Sequence, residues 1–380
     1  MKSIFLLFAT IIIIIQFNQA CLREASISDV ASSIILTKDE SKFFKLNSET
    51  LPYSKSIQFN CFEGLRLLSV TNRDRNSIYF YNYDTHELDY IWKPKDSLFN
   101  NFYLDGHSVL NRDTIIVFSY ASATVCLSNR LGKCLNTYRL VRDMSNFSHP
   151  PTPVIGTFNP ILLKDSLLLC TGYISGEYND SDQEQRPVII KFDINSNRIE
   201  YYLDYPHIYD RRNWGGCDLR NVYAIFFKNF IIASFPLSNN LIKFDLFSFL
   251  GSEIIAMNNF KFDPIHQSKD KIISHDALGM HFYSNFSYGP ILYDKYRSLF
   301  YRIWYKPATN PRDHEPASWI RKWGIEIFNE NFEICGNQQM DDSLFTIKSM
   351  FVTEEGINYQ KFINDDEIMF SILKPEKISN

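Results

Sequence analysis

Past its first twenty residues the chain alternates short runs of β-branched and aromatic residues with clusters of Asn, Asp, Ser and Pro, and sustained helical spacing is hard to find. One unit recurs: an apolar run, an aromatic followed by Asp or Asn, a short turn, and a second run. Ser77–Asp84 opens one copy, and Val188–Asp193, Leu241–Asp245 and Gly324–Asn329 open others, with a degenerate copy turning at Ser128–Asn129. In each, the Asp or Asn side chain is expected to cap the turn. A further strand precedes each copy: Gly64–Leu68, Arg112–Val117, Lys164–Leu169, Lys228–Ile232 and Arg297–Tyr301.

Two hairpins per unit make a four-stranded sheet, and such sheets repeated at about 40 to 60 residues are what a β-propeller requires. Five units fit between Ser56 and Gly336. A sixth would join Phe345–Leu373 to an N-terminal strand near Phe43–Leu46. The expected fold is all-β: a six-bladed β-propeller of four-stranded antiparallel blades, its ring closed by pairing the N- and C-terminal strands so that no edge is left open. Five or seven blades, a β-sandwich or two smaller β domains would give the same hairpins.

The units are unevenly spaced, so the excess must lie in loops: Val141–Thr157, Tyr173–Pro187, Asp204–Asp218, Phe262–Tyr283 and Tyr305–Trp323. Each falls either between blades or between the second and third strands of one blade. Those two connections emerge on the same side of an up-and-down blade. All five insertions are therefore expected around one mouth of the channel, where binding is usually placed.

Residues 1–20 change the picture of where the protein resides. Met1-Lys2-Ser3, an apolar run of 12 residues from Ile4 to Ile15, and a polar end before Ala20 and Cys21 have the layout of a secretory signal. That run is short for a membrane span, which needs about 20 residues. Cys21 directly after a small residue resembles the lipidated cysteine of bacterial lipoproteins, although Asn18 sits where those usually carry an aliphatic residue; plain secretion after Ala20 is the other reading. The expected organisation is a signal peptide over 1–20, a short tether over 21–34 and a single propeller over 35–376. The expected location is the cell envelope, lipid-anchored to a bacterial membrane, the outer one.

Composition agrees with a strand-rich exported body: 32 Phe, 22 Tyr and 5 Trp, against only 14 Gly. With charged residues at 22% and a net charge of -4, neither a disordered chain nor a nucleic-acid binder is suggested. Beyond Cys21 there are six cysteines. Cys126 and Cys134 flank the turn-like Asn129–Gly132 and could meet across a hairpin; buried free thiols are the plainer reading.

Candidate chemistry sits in the long loops. Tyr205–Gly216 combines rings, guanidinium forks and a Gly pair, so Arg211 and Arg212 could grip a carboxylate or phosphate and Trp214 could stack on a sugar or base. His281, Tyr283, Trp304, Trp319, Arg321 and Trp323 could extend that surface. The competing reading makes the tryptophans packing residues and pairs the arginines with Asp210 and Asp218. Asp313-His314-Glu315 and His275-Asp276 place potential ligands side by side, where an extended chain points them to opposite faces, so no metal and no cofactor is expected. Glu177, Asp180, Asp182 and Glu184 could form a carboxylate pair but read more simply as a solvated loop.

The leader, the length, the Phe-Asp hairpins, Tyr293-Asp294 and Arg297-Ser298-Leu299-Phe300-Tyr301-Arg302 together resemble an uncharacterised family of Bacteroidetes lipoproteins, a domain of unknown function, among the TolB-like six-bladed propellers. The resemblance implies a fold and a location and no activity. The expectation for function is binding of a glycan or peptide ligand, or of an envelope protein partner, through the looped face. A carbohydrate- or lactone-active hydrolase at the channel mouth and an interaction scaffold are the alternatives.

Overall fold

The computed structural model describes residues 33–46, 54–95, 102–141, 151–174, 186–210, 217–254, 262, 275–308, 320–344, 349–362 and 366–378. Strands are numbered in chain order from β1 (Ile34–Lys45). Blade 1 is β2 (Ile57–Phe62), β3 (Leu65–Asn72), β4 (Ser77–Asn82) and β5 (Leu88–Trp92); blade 2 is β6 (Gly106–Asn111), β7 (Thr114–Ser119), β8 (Thr124–Asn129) and β9 (Cys134–Arg139). Blade 3 is β10 (Pro151–Val154), β11 (Leu162–Lys164), β12 (Leu167–Ile174), β13 (Pro187–Asp193) and β14 (Arg198–Asp204). Blade 4 is β15 (Tyr223–Phe227), β16 (Phe230–Ser234), β17 (Leu241–Asp245) and β18 (Gly251–Ile254). Blade 5 is β19 (Ser287–Asp294), β20 (Leu299–Tyr305), β21 (Arg321–Asn329) and β22 (Ile334–Leu344).

Blade 6 closes the ring. Its inner strands β23 (Met350–Val352), β24 (Ile357–Phe362) and β25 (Glu367–Lys377) come from the C-terminus, and β1 pairs antiparallel with β25 as the outermost strand. The N-terminal strand is longer than Phe43–Leu46 alone, running from Ile34 opposite Lys377 to Lys45 opposite Glu367. Pairing the two ends of the chain satisfies backbone groups that would otherwise lie on an open edge. The protein is thus a six-bladed β-propeller of four-stranded antiparallel sheets, blade 3 carrying an extra short strand.

The recurrent Asp or Asn works as the repeat requires. The Oδ1 atoms of Asn129, Asp193, Asp245 and Asn329 each accept a hydrogen bond from the backbone N–H two residues on, at 2.8–3.0 Å. Blade 1 corrects the expected position: Asn82 caps its turn through the Asp84 N–H (2.8 Å), while the Asp84 carboxylate pairs with Arg66. In blades 1 to 4 the residue after the cap then donates its N–H to the inner turn of the same blade. Tyr83 bonds Arg66 O, Arg130 bonds Asp113 O, Ile194 bonds Ser166 O and Leu246 bonds Asn229 O, all at 2.8–2.9 Å. These bonds tie the two tight turns of a blade together on one side of the disc, the turn face.

All five long insertions leave from the opposite side, the loop face, because each joins successive blades or the second and third strands of one blade. One of them contains what the strand-dominated pattern concealed, a ten-residue helix at His275–Ser284. Apolar clusters form between adjacent blades, as where Phe44, Tyr79, Tyr81 and Phe370 join blade 6 to blade 1. Trp304 and Trp323 belong to these clusters, 2% and 0% exposed, so both pack the core and neither extends the loop-face surface.

Cys126 and Cys134 form a disulfide across the β8–β9 hairpin, overturning the free-thiol reading. Cys61, Cys170 and Cys335 are free.

Candidate ligand site on the loop face

Blade 3 departs from the regular pattern in a way that shapes the centre of the disc. Its innermost strand is broken: β10 pairs with one half of β12, β11 with the other, and residues 155–161 leave the sheet between them. This segment reaches three other parts of the ring. Thr157 Oγ1 accepts the N–H of Ile57 in blade 1 (2.8 Å), and Phe158 O accepts the N–H of Ala224 in blade 4 (3.2 Å). The Phe158 ring packs against the apolar cluster of blades 5 and 6, on the far side of the axis from its own blade. Asn159 fixes the return, its Nδ2 donating to Thr171 Oγ1 (2.6 Å) and to Val222 O. Residues 155–161 therefore cross the axis, and the space beside them demands glycine. A Cβ at Gly106 would collide with the carbonyl of Ile155, and one at Gly156 would lie 2.7 Å from Lys55 O.

On the loop face, between blades 4 and 5, the fold gathers three of the residues singled out in the sequence. Helix His275–Ser284 ends against the start of β21: Arg321 Nη2 donates to Asn285 O (2.5 Å) and Tyr305 O (3.2 Å), and its Nε donates to Lys306 O (2.8 Å). Asn285 Nδ2 donates to His281 O (2.9 Å), and Ala308 N–H donates to Tyr283 O (2.8 Å). His281, Tyr283 and Arg321 thus lie in one assembly built from two insertions, although some forty residues separate them in sequence.

Arg321 is the unusual member. It is 0% exposed, its guanidinium lies 5.0 Å from the Phe282 ring and 5.1 Å from that of Tyr305, and its Nη1 has no hydrogen-bond partner among the described residues. Burial pushes its pKa down to about 10, against the opposing influence of Tyr305, Tyr283 and Tyr223. No carboxylate among the described residues forms an ion pair with it. Arg302, equally buried, shows the contrast. Its Nε bonds Ser234 Oγ (3.0 Å), Nη1 bonds Asn239 O (2.7 Å), Nη2 bonds Ser238 O (2.7 Å), and the guanidinium lies 3.5 Å over the Tyr288 ring. Every nitrogen of Arg302 is engaged within the fold; among the described residues, one nitrogen of Arg321 is not.

The expected arginine and tryptophan surface is only partly in view. Arg211, Arg212, Trp214 and Trp319 lie outside the described residues, as do Cys21, the Glu177–Glu184 acids and Asp313–Glu315; the side chains of His275 and Asp276 are likewise undescribed. Asp210, a suggested partner of Arg211 and Arg212, is engaged by Arg186 and by His207 Nδ1 (2.9 Å), which raises the His207 pKa. Arg186 also donates to Tyr209 O (2.9 Å), and Tyr209 in turn bonds Leu219 O (2.9 Å). Sequence reading gave no role of its own to Arg186 or Arg302, which sit inside or beside apolar runs.

On the turn face a cavity of about 860 Å³ opens between blades 5 and 6, lined by Ser33, Arg297, Glu330, Cys335 and Lys377 among others. Two of its charged groups are held by partners: Arg297 holds Asp294 (3.0 Å) and Glu354 O (2.6 Å), and Glu330 holds Lys228 (2.7 Å) and the Tyr293 hydroxyl (2.5 Å).

Residues 32–339 match the family described as Domain of unknown function (DUF4221). The chain belongs to that family. A crystal structure of a DUF4221 member from Bacteroides vulgatus superposes with a TM-score of 0.74 at 16% identity, covering 91% of this chain and 99% of that one. A protein described as exported, from Bacteroides fragilis, gives a TM-score of 0.51 at 12% identity, covering 90% and 96%. At such identities these likenesses establish the fold of the DUF4221 chain. No curated protein matches it. Among its described residues, no helix is long and apolar enough to cross a membrane.

Proposed function

We propose that this DUF4221 protein is an exported lipoprotein, held at the cell envelope through Cys21, whose loop face binds an acidic ligand: a glycan or peptide, or an envelope protein, presenting a carboxylate or phosphate. The observation that carries this reading is Arg321, a buried guanidinium with an unbonded Nη1 and no ion-pair partner among the described residues. A charge held out of water is costly unless something compensates it, and an incoming anion would do so with a charge-assisted hydrogen bond. Tyr283 and His281 are beside it, and Arg211, Arg212 and Trp214 belong to the neighbouring insertion in sequence.

The test is a thermal-shift and calorimetric titration of residues 22–380 with acidic and neutral glycans and peptides of matched size. Acidic members are expected to bind, with affinity lost in Arg321→Gln and weakened in His281→Ala and Tyr283→Phe. Binding that ignores ligand charge, or that survives all three changes, refutes the site. Arg321→Lys keeps the charge and controls for a folding defect.

A further inference from the structure

Among the described residues, the most exposed large hydrophobic side chains are Phe247 (71%), Leu250 (70%) and Leu131 (68%), and all three lie in the outer tight turns of the turn face, on blades 4 and 2. Blade 6 contributes Ile378, also exposed, whose N–H bonds Ser33 O (3.0 Å) where the described chain begins. Blades 2, 4 and 6 alternate around a six-membered ring, so these points stand a third of a turn apart and define a plane parallel to the disc. Lysines accompany them: Lys133 shares the turn of Leu131, Lys164 lies 5.4 Å from the Phe247 ring, and Lys377 precedes Ile378.

We infer that the turn face rests on the surface of the phospholipid bilayer, supported at Leu131, at Phe247 with Leu250, and at Ile378, so that the loop face points away from the membrane. This rests on the lipid anchor at Cys21. From Cys21 to Ser33 is 12 residues, which span at most about 40 Å when fully extended. That strand enters on the turn face, so a short tether favours bringing this side to the lipid. Isolated apolar tips flanked by lysines suit an interface, where rings and aliphatic groups enter the headgroup layer and ammonium groups stay at its surface. The loop face is then free to meet ligands arriving from the aqueous side.

The experiment uses the lipid-modified full chain in phospholipid vesicles, with Cys61 and Cys335 replaced by Ser. Nitroxide labels are placed singly at Leu131→Cys or Phe247→Cys on the turn face and at Tyr103→Cys on the loop face. Relaxation by membrane-soluble oxygen should exceed relaxation by an aqueous nickel chelate at the first two sites, and the order should reverse at Tyr103→Cys. Turn-face labels as aqueous as the Tyr103 label, in a chain still bound to vesicles, overturn the orientation and leave the anchor standing. A chain whose vesicle association is absent, or unchanged by Cys21→Ser, overturns the anchor and the orientation with it.

Discussion

Thr157 Oγ1 accepts the backbone N–H of Ile57 at 2.8 Å, joining the crossing segment of blade 3 to the innermost strand of blade 1. With Phe158 on the blade 5–6 cluster, this contact lets one segment brace the ring from within. Replacing Thr157 by Val keeps the shape and removes the acceptor, leaving a partly buried N–H unpaired. A loss of about 1–3 kcal/mol is expected in urea unfolding, against a much smaller loss for Thr157→Ser, which restores the oxygen. Equal stability of the Val and Ser variants would show that the contact contributes nothing.

His107 should give this protein an acid sensitivity of its own. The imidazole is fully buried on the inner strand of blade 2, with Nδ1 2.7 Å from Thr71 Oγ1 and 3.0 Å from Ser56 Oγ, and Nε2 2.7 Å from Ser69 Oγ. Burial lowers its pKa from 6.5 to about 3. Between those values the unfolded chain binds a proton that the folded one refuses. Stability from this group is therefore complete above the unfolded pKa and is lost as pH falls, by up to about 1.4 kcal/mol per pH unit. His107→Gln removes the titration, so the stability gap between wild type and variant should narrow from pH 7 to pH 4. A gap constant over that range, measured by denaturant titration, would contradict it.

The Cys126–Cys134 disulfide closes a short loop, its cysteines 8 residues apart. Chain-entropy reasoning assigns such a loop about 2–3 kcal/mol. Replacing both cysteines by Ser should lower the melting temperature by several degrees, and reduction should bring wild type to the same value. Mass spectrometry of an unreduced digest should recover the two peptides joined; recovering them separate would remove the crosslink from the account.

Much of the architecture was present in the order of residues alone. Short β-branched and aromatic runs punctuated by Asp or Asn are local signals, and the turns they mark at Asn129, Asp193, Asp245 and Asn329 are local structures, each closed by a side chain bonding two residues ahead. The single sidedness of the long loops followed from strand order. Even ring closure was legible, because an unpaired strand at each end of a repeat has few other places to go. What the tertiary structure decided depends on neighbours distant in sequence. Nothing around Phe158 signals a segment that crosses the axis; Gly106 matters there only because Ile155 lies against it. Arg302 and Arg321 both stand within apolar strands, yet one has every nitrogen engaged and the other keeps Nη1 unbonded among the described residues. That difference is set by which carbonyls the packed blades bring within 3 Å, a matter of three-dimensional placement that no local pattern encodes.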